Sequence, residues 1–367
     1  MAAVAELEVL VDDIRRLVEV ESPSLDVAAC TASAANLAAL IEERTGRAAH
    51  LVDSPAGPHV HWSGGGEPAV LILGHHDTVF PLGALAERPF RHADGKLTGP
   101  GVFDMKTGIV QAIHAVAALD DASGVEMLFT ADEEVGSTES RALLEERAQA
   151  CGNVLVLEPS GDGGAIKTGR KGTGTFEVIV HGRASHAGLE PEAGVNSLVE
   201  AAHQVLAIAA IGDAAAGTTV TPTVAKAGTA DNVVPAETRI RVDVRVTGPE
   251  EKDRVEAAMA ALSPVDERAT IEVRGRIGRP PMPESASASL FPLAQQADPG
   301  VVGVAVGGAS DGNFTAALGV PTLDGLGAVG GGAHADHEWV DASTLPARVE
   351  LLRGILERIP DRAAVDA

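Results

Sequence analysis

Tyrosine is absent from this chain of 367 residues, and aromatic residues as a whole make up only 2%. Its cores must therefore be packed from Ala, Val, Leu and Ile, and aromatic platforms for stacking nucleobases are not expected. Cysteine is equally scarce. Cys30 and Cys151 are too few for a disulfide framework or a thiolate zinc finger, and each reads as a small buried hydrophobe. Basic residues number 28 against 52 acidic ones, for a formal net charge of −24. That sign repels phosphate backbones and anionic bilayers, so neither nucleic acid nor a membrane is expected as a partner. No apolar run reaches the ~20 residues of a membrane span. Met1 to Val11 carries Glu6 and Glu8 and has no basic segment, so it reads as the start of a helix and not as a signal peptide. A soluble, cytoplasmic protein is the expectation.

What is present is enough hydrophobic sequence, 45%, to fill two domains. Leu7, Leu10, Val11, Ile14, Leu17 and Val18 recur at helical spacing, which predicts an amphipathic helix stopping near Ser22-Pro23. A second helix is predicted to end at Gly46. Apolar runs over Ala69 to Leu73, Val125 to Thr130 and Val154 to Leu157 alternate with helical stretches, Thr107 to Leu119 and Ser140 to Ala150. Together they predict an α/β fold with a mostly parallel sheet. After about Lys171 the order becomes strand–helix–strand–strand–helix–strand, an α+β sandwich order, before helix–strand alternation returns near Pro280. The simplest organisation is one α/β domain, residues 1–172 and 279–367, interrupted by a smaller α+β domain over 173–278. Gly169 to Gly174 fits neither the dinucleotide fingerprint nor the P-loop and reads as a hinge between them.

The chemistry concentrates where apolar runs end. Gly74-His75-His76-Asp77-Thr78 closes the first strand, at the edge where open α/β sheets bind ligands. In an extended segment His75 and Asp77 point the same way, so Asp77 can hold the His75 tautomer while the other ring nitrogen meets a metal. Gly99 to Gly108 places Asp104 just ahead of a helix, where it is either a ligand or only an N-cap. Asp132-Glu133-Glu134-Val135-Gly136 ends the next strand, as a site or as a solvated loop. Glu158-Pro159 ends the third. Gly330 to Glu338 sets His334 and His337 in a glycine-rich loop. Neutral imidazoles with carboxylates form a donor set suited to zinc, and an Asp can bridge two ions.

In the order and spacing of these motifs the chain resembles the M20 metallopeptidase family, and most closely its glutamate carboxypeptidase branch. The resemblance rests on His75-His76-Asp77, Gly99 to Gly108, Asp132 to Gly136, Glu158-Pro159 and Ala333-His334-Ala335-Asp336, which span nearly the full length. It implies a zinc-peptidase-like α/β/α catalytic domain holding two Zn2+ ions, with Co2+ or Mn2+ as substitutes. One ion would be held by His75, Asp104 and Glu158, the other by Asp104, Glu134 and His334, with a cis peptide bond after the bridging Asp104. Glu133 would be the general base and Asp77 the partner of His75. His76 and His337 stay open as competing ligands.

The same resemblance makes the inserted domain a ferredoxin-like lid through which a homodimer forms. Within Gly182 to Gly188, His186 would reach the partner's site and stabilise the oxyanion, or else be a structural residue of a strand-to-helix turn. Asn232 and Arg245 match positions that hold the substrate's carboxylate, although Arg245 also reads as a surface strand residue. The implied activity is hydrolysis of an amide bond beside a free carboxylate in a small acylated amino acid or peptide, glutamate release leading. The alternatives are a biosynthetic deacylase of the N-acetylornithine or N-succinyl-diaminopimelate type, and a non-catalytic metal-binding scaffold.

Overall fold

The computed structural model describes residues 6–360. The part of the expected N-terminal helix before residue 6 lies outside the described residues. The chain divides into two compact units. One is formed by the described residues of Met1–Gly169, Glu284–Val306 and Ser310–Ala367, the other by Arg170–Pro283 with Gly307–Ala309. The second unit thus takes in a few residues more at each end than the 173–278 read from the sequence.

The first unit is built on a six-stranded sheet in the order His50–Val52, His59–Ser63, Val125–Thr130, Val70–His75, Val154–Val156, Thr322–Leu323. Its last four strands are parallel, and the two at the other edge run antiparallel. In the central Val70–His75 strand, Val70 and Ile72 join one apolar cluster while Leu71 and Leu73 join another. A strand buried on both faces needs a continuous apolar run, which is why 70–73 is legible as a strand in the sequence. One face is covered by the helices Leu7–Val18, Val27–Thr45, Thr107–Ala117 and Leu345–Leu356, the other by Arg141–Cys151 and Gly312–Ala317. The result is an α/β/α sandwich. The helix Thr107–Ala117 is buried at every residue but the last, in keeping with a mainly apolar sequence.

Local chemistry sets the helix ends. Leu7–Val18 stops before Ser22-Pro23, because Glu19 already closes it with its N–H on the carbonyls of Arg15 and Leu17. Val27–Thr45 ends as read from the sequence: Gly46 adopts φ +71°, which a side chain rarely tolerates, and its N–H returns to Glu42 O. Buried Asp13 ties three helices together. Its carboxylate accepts two bonds from Arg44 at 2.7 Å and lies 2.6 Å from His114 Nε2.

The second unit follows the order Gly172–His181, Ser197–Ala209, Thr219–Ala227, Glu237–Val246, Pro249–Ala260, Thr270–Arg279. Its antiparallel sheet runs Thr219–Ala227, Glu237–Val246, Gly172–His181, Thr270–Arg279, the ferredoxin-like arrangement. Its core is Val, Ile, Met and Ala with one aromatic, Phe176, as the composition demands. The glycine-rich hinge segment is not loose. The Ile166–Arg170 and Gly172–His181 strands run through it, and a Cβ on Gly174 would stand 2.7 Å from Ile277 Cα. Those glycines serve close strand approach.

Two outcomes follow. Ile240, fully buried in a central strand of the second unit, should lose about 2–5 kcal/mol on truncation to Ala. Exposed Val265→Ala should stay within about 0.5 kcal/mol, and urea unfolding followed by circular dichroism compares the two. Burial pushes the Asp13 carboxyl up, but Arg44 and His114 outweigh it and leave the carboxyl below its ordinary value. A lowered folded pKa gives stability that is present above the unfolded carboxylate value, about 3.9, and lost as pH falls through the folded one. Asp13→Asn should therefore weaken the protein at neutral pH yet shed less further stability on acidification. Equal acid slopes for the two proteins would refute this.

Candidate metal centre

The C-terminal ends of three neighbouring parallel strands, His75, Thr130 and Val156, lie on one edge of the sheet. His75 is the last residue of its strand and is 1% exposed. Its Nδ1 lies 3.0 Å from the carbonyl of Asp77 and 3.4 Å from Asp77 Oδ1. Its Nε2 lies 3.2 Å from Asp104 Oδ1 and 3.7 Å from Glu158 Oε1. Asp77 is fully buried and accepts from Ser24 Oγ at 2.7 Å and from the backbone N–H groups of Glu133 and Glu134, each at 3.3 Å. One carboxylate thus fixes both the imidazole and the turn that presents Glu133 and Glu134.

Asp104 caps no helix. Its φ of −116° and ψ of 96° are not helical, the helix that follows begins at Thr107, and the Asp104-Met105 peptide bond is cis. The carboxylate instead faces two imidazoles, with His334 Nε2 3.3 Å from Oδ2. Gly108 allows this close packing, since a Cβ there would sit 2.5 Å from Leu157 O. Glu133 and Glu134 stand on a short 3-10 turn closed by Gly136 at φ +100°. Glu158 follows the third strand, and its carbonyl accepts from Gly327 N at 2.9 Å. His334 sits at φ +63° in the loop between the paired residues Gly331 and Trp339, and its Nε2 is 3.1 Å from Glu134 Oε2.

Two trios result, His75 with Asp104 and Glu158, and Asp104 with Glu134 and His334. Within each trio one donor atom per residue lies within 4.8 Å of the others. His75 Nε2, Asp104 Oδ1 and Glu134 Oε1 are buried without a hydrogen-bond partner. Burial would drive the His75 pKa down, but Asp104 and Asp77 raise it well above the ordinary imidazole value. Hydrogen bonding to Asp104 and then Glu134 takes His334 up to about 10. Burial pushes Asp104 up, but His334 and His75 outweigh it and hold its carboxyl well below the usual range. Glu134 is raised by burial, with Asp104 and Glu133 adding to the shift against His334. Converging carboxylates with orphaned donor atoms between them fit divalent cations, which would satisfy both the charge and the unmade bonds.

His76 does not join them. Its Nδ1 is 3.2 Å from Ser33 Oγ, its Nε2 is 3.0 Å from Pro58 O, and burial takes its pKa down to about 4. His337 belongs to neither trio. In the second unit His186 is exposed, and its Nδ1 accepts from Gly188 N and Leu189 N at 3.1 Å. His186 is bridged to Val233, and the adjoining Asn232 accepts from Ala187 N at 2.9 Å through its carbonyl. Arg245 is not brought to them. It pairs with Thr173 while Glu237 pairs with His181, so roughly 27 Å of strand separates it from the His186 end. Both oxygens of Asp243 already hold its guanidinium at 3.0 Å.

Sequence reasoning passed over Glu338. It is 1% exposed and accepts from the backbone N–H groups of Gly101, Phe103 and Asp104 at 2.9, 2.7 and 2.8 Å. Its signal in the sequence was slight, a carboxylate four residues after His334.

Residues 71–358 match the pattern of Peptidase family M20/M25/M40. Carboxypeptidase G2 of Pseudomonas sp. (strain RS-16) is 35% identical over 309 residues, covering 78% of this chain and 72% of that protein. Succinyl-diaminopimelate desuccinylase of Burkholderia vietnamiensis (strain G4 / LMG 22486) is 28% identical over 323 residues, covering 80% and 84%. Among solved structures, aminopeptidase PepT from Bacillus cereus ATCC 10987 shares the fold, with a TM-score of 0.78 at 21% identity over 97% of this chain and 100% of that one. The motif resemblance, the α/β fold and these likenesses agree: the chain belongs to Peptidase family M20/M25/M40, a family of metal-dependent peptidases and amidohydrolases.

Proposed function

We propose that this enzyme hydrolyses an amide bond beside a free carboxylate, as a glutamate-type carboxypeptidase or N-acyl-amino-acid hydrolase. The observation that carries the reading is the sharing of one carboxylate, Asp104, between two donor trios at the strand ends. His75, Asp104 and Glu158 would hold one divalent ion, and Asp104, Glu134 and His334 a second. Zinc suits such donors, and cobalt or manganese can replace it. When bound, such ions polarise a carbonyl and lower the pKa of water.

The chain's own residues supply the rest. Asp77 sets which His75 nitrogen faces the centre. Glu133, beside Glu134 on the same turn, acts as general base and returns the proton to the departing amine. Because its N–H rests on Asp77, base and ligands share one anchor. We assign the second unit the role of a dimerisation lid, which would bring His186 to the partner's oxyanion and Asn232 to the substrate's carboxylate. The exposed apolar residues Val199 and Leu206, seven apart on the Ser197–Ala209 helix, support a covered face there. Arg245, whose half-exposed pairing with Asp243 is weak, would also serve the substrate's carboxylate. No described helix is long and apolar enough to cross a membrane, and a cytoplasmic location goes with this reading.

Glutamate release is favoured by the 35% likeness to carboxypeptidase G2. The desuccinylase likeness supports a second reading, removal of a succinyl group from a diamino acid. Metal-loaded protein should be offered N-acyl amino acids and dipeptides with acidic, basic and apolar C-termini, together with acetylornithine and succinyl-diaminopimelate. The expected result is preferential glutamate release, lost by roughly 10²–10⁴-fold in Glu133→Gln with metal content unchanged. Preference for succinyl-diaminopimelate would select the second reading, and full activity of Glu133→Gln would sink the mechanism.

A further inference from the structure

We infer that Glu338 is a positioning residue, whose buried carboxylate locks the turn bearing Asp104 to the loop bearing His334 and so pre-forms the shared metal position. The inference rests on the two-metal reading and concerns a residue outside both donor trios.

Both oxygens of Glu338 are committed to backbone. Oε1 accepts from Phe103 N and Asp104 N, and Oε2 from Gly101 N. It belongs to neither donor trio. Gly101, Phe103 and Asp104 are buried, so without Glu338 three N–H groups would be left unsatisfied away from water. On the other side, Glu338 stands four residues after His334 in the loop between the paired Gly331 and Trp339. Ala335 N on Gly332 O at 2.9 Å and Glu338 N on Ala335 O at 3.1 Å fold that loop. The two segments are more than 230 residues apart in the chain (Glu338 and Asp104 differ by 234), and they carry two ligands of one trio. The His334 side chain is half exposed, at 52%, so its placement depends on its loop more than on packing. A charged acceptor suits this task because each oxygen takes N–H bonds without needing a donor of its own. A glutamine of the same size presents one oxygen and one NH2, and its NH2 must face an N–H.

The test titrates metal-free wild type and Glu338→Gln with zinc against a chromophoric chelator, and reads the cobalt-loaded proteins by visible absorption. Wild type should take two ions. Glu338→Gln should bind the weaker ion 10–100-fold less tightly, with an altered cobalt spectrum and a metal-free melting temperature within a few degrees of wild type. Unchanged affinities and spectrum would overturn the positioning role while leaving the two-metal reading standing. Failure of wild type to bind two ions would overturn both. Hydrogen exchange on wild type needs no variant: the amides of Gly101, Phe103 and Asp104 should be protected before metal is added. Fast exchange there, slowed only by zinc, would also overturn the inference.

Discussion

The structure is organised around a carboxylate that faces two imidazoles. Asp104 lies between His75 and His334 at 3.2 and 3.3 Å, and it is almost wholly buried. Placing that charge beside Glu134 and Glu158 in a dry site is costly unless cations and hydrogen bonds answer it. The fold answers with backbone. The Asp77 carboxylate takes the amides of Glu133 and Glu134, and the Glu338 carboxylate takes those of the Asp104 turn. Neither anchor belongs to a donor trio, so each can spend its oxygens on holding the chain that presents one.

This requirement explains why the sheet is parallel at its centre. Parallel strands bring several C-terminal ends to one edge, and helices on both faces keep the strands dry. His75, the Glu133–Glu134 turn and Glu158 then converge from strands adjacent in space, although they are 24 to 83 residues apart in the chain. The second unit has no such edge. Its antiparallel ferredoxin-like sheet offers a helix-backed surface and a turn where His186 and Asn232 meet.

Much of this was legible in the sequence because the strands end abruptly. A continuous apolar run followed by His75 or Glu158 marks both the doubly buried strand and the residue at its open end. The helix-period residues of Leu7–Val18 and the Gly46 terminator were equally readable, since each depends on local geometry. What escaped was set by distant backbone. The local pattern at Asp104 allows a helix cap or a ligand, the motif resemblance implies the ligand, and the non-helical turn removes the cap. Glu338 was invisible as an anchor because its partners are main-chain amides, which leave no mark in the side-chain pattern. His76 looked like a rival ligand until Ser33 and Pro58 were found to occupy its two nitrogens. The Asp243 carboxylate on Arg245 is likewise a contact the motif pattern does not announce.

The turn after Gly101 also shows how the site limits its own charge. Lys106, two residues beyond Asp104, is 3% exposed and donates to the Val20 carbonyl at 2.8 Å. Burial takes its pKa down to about 8, and the field of Glu338, with Glu21 and Asp77, opposes the fall. A cation kept this close to the ligand turn would compete with metal ions if its ammonium pointed into the centre. Its bond to a main-chain carbonyl turns it the other way, so it offsets the acidic cluster without meeting the donors. The same division runs through the whole site. Three atoms that face the centre, His75 Nε2, Asp104 Oδ1 and Glu134 Oε1, lack a hydrogen bond, while the supporting carboxylates of Asp77 and Glu338 take backbone amides.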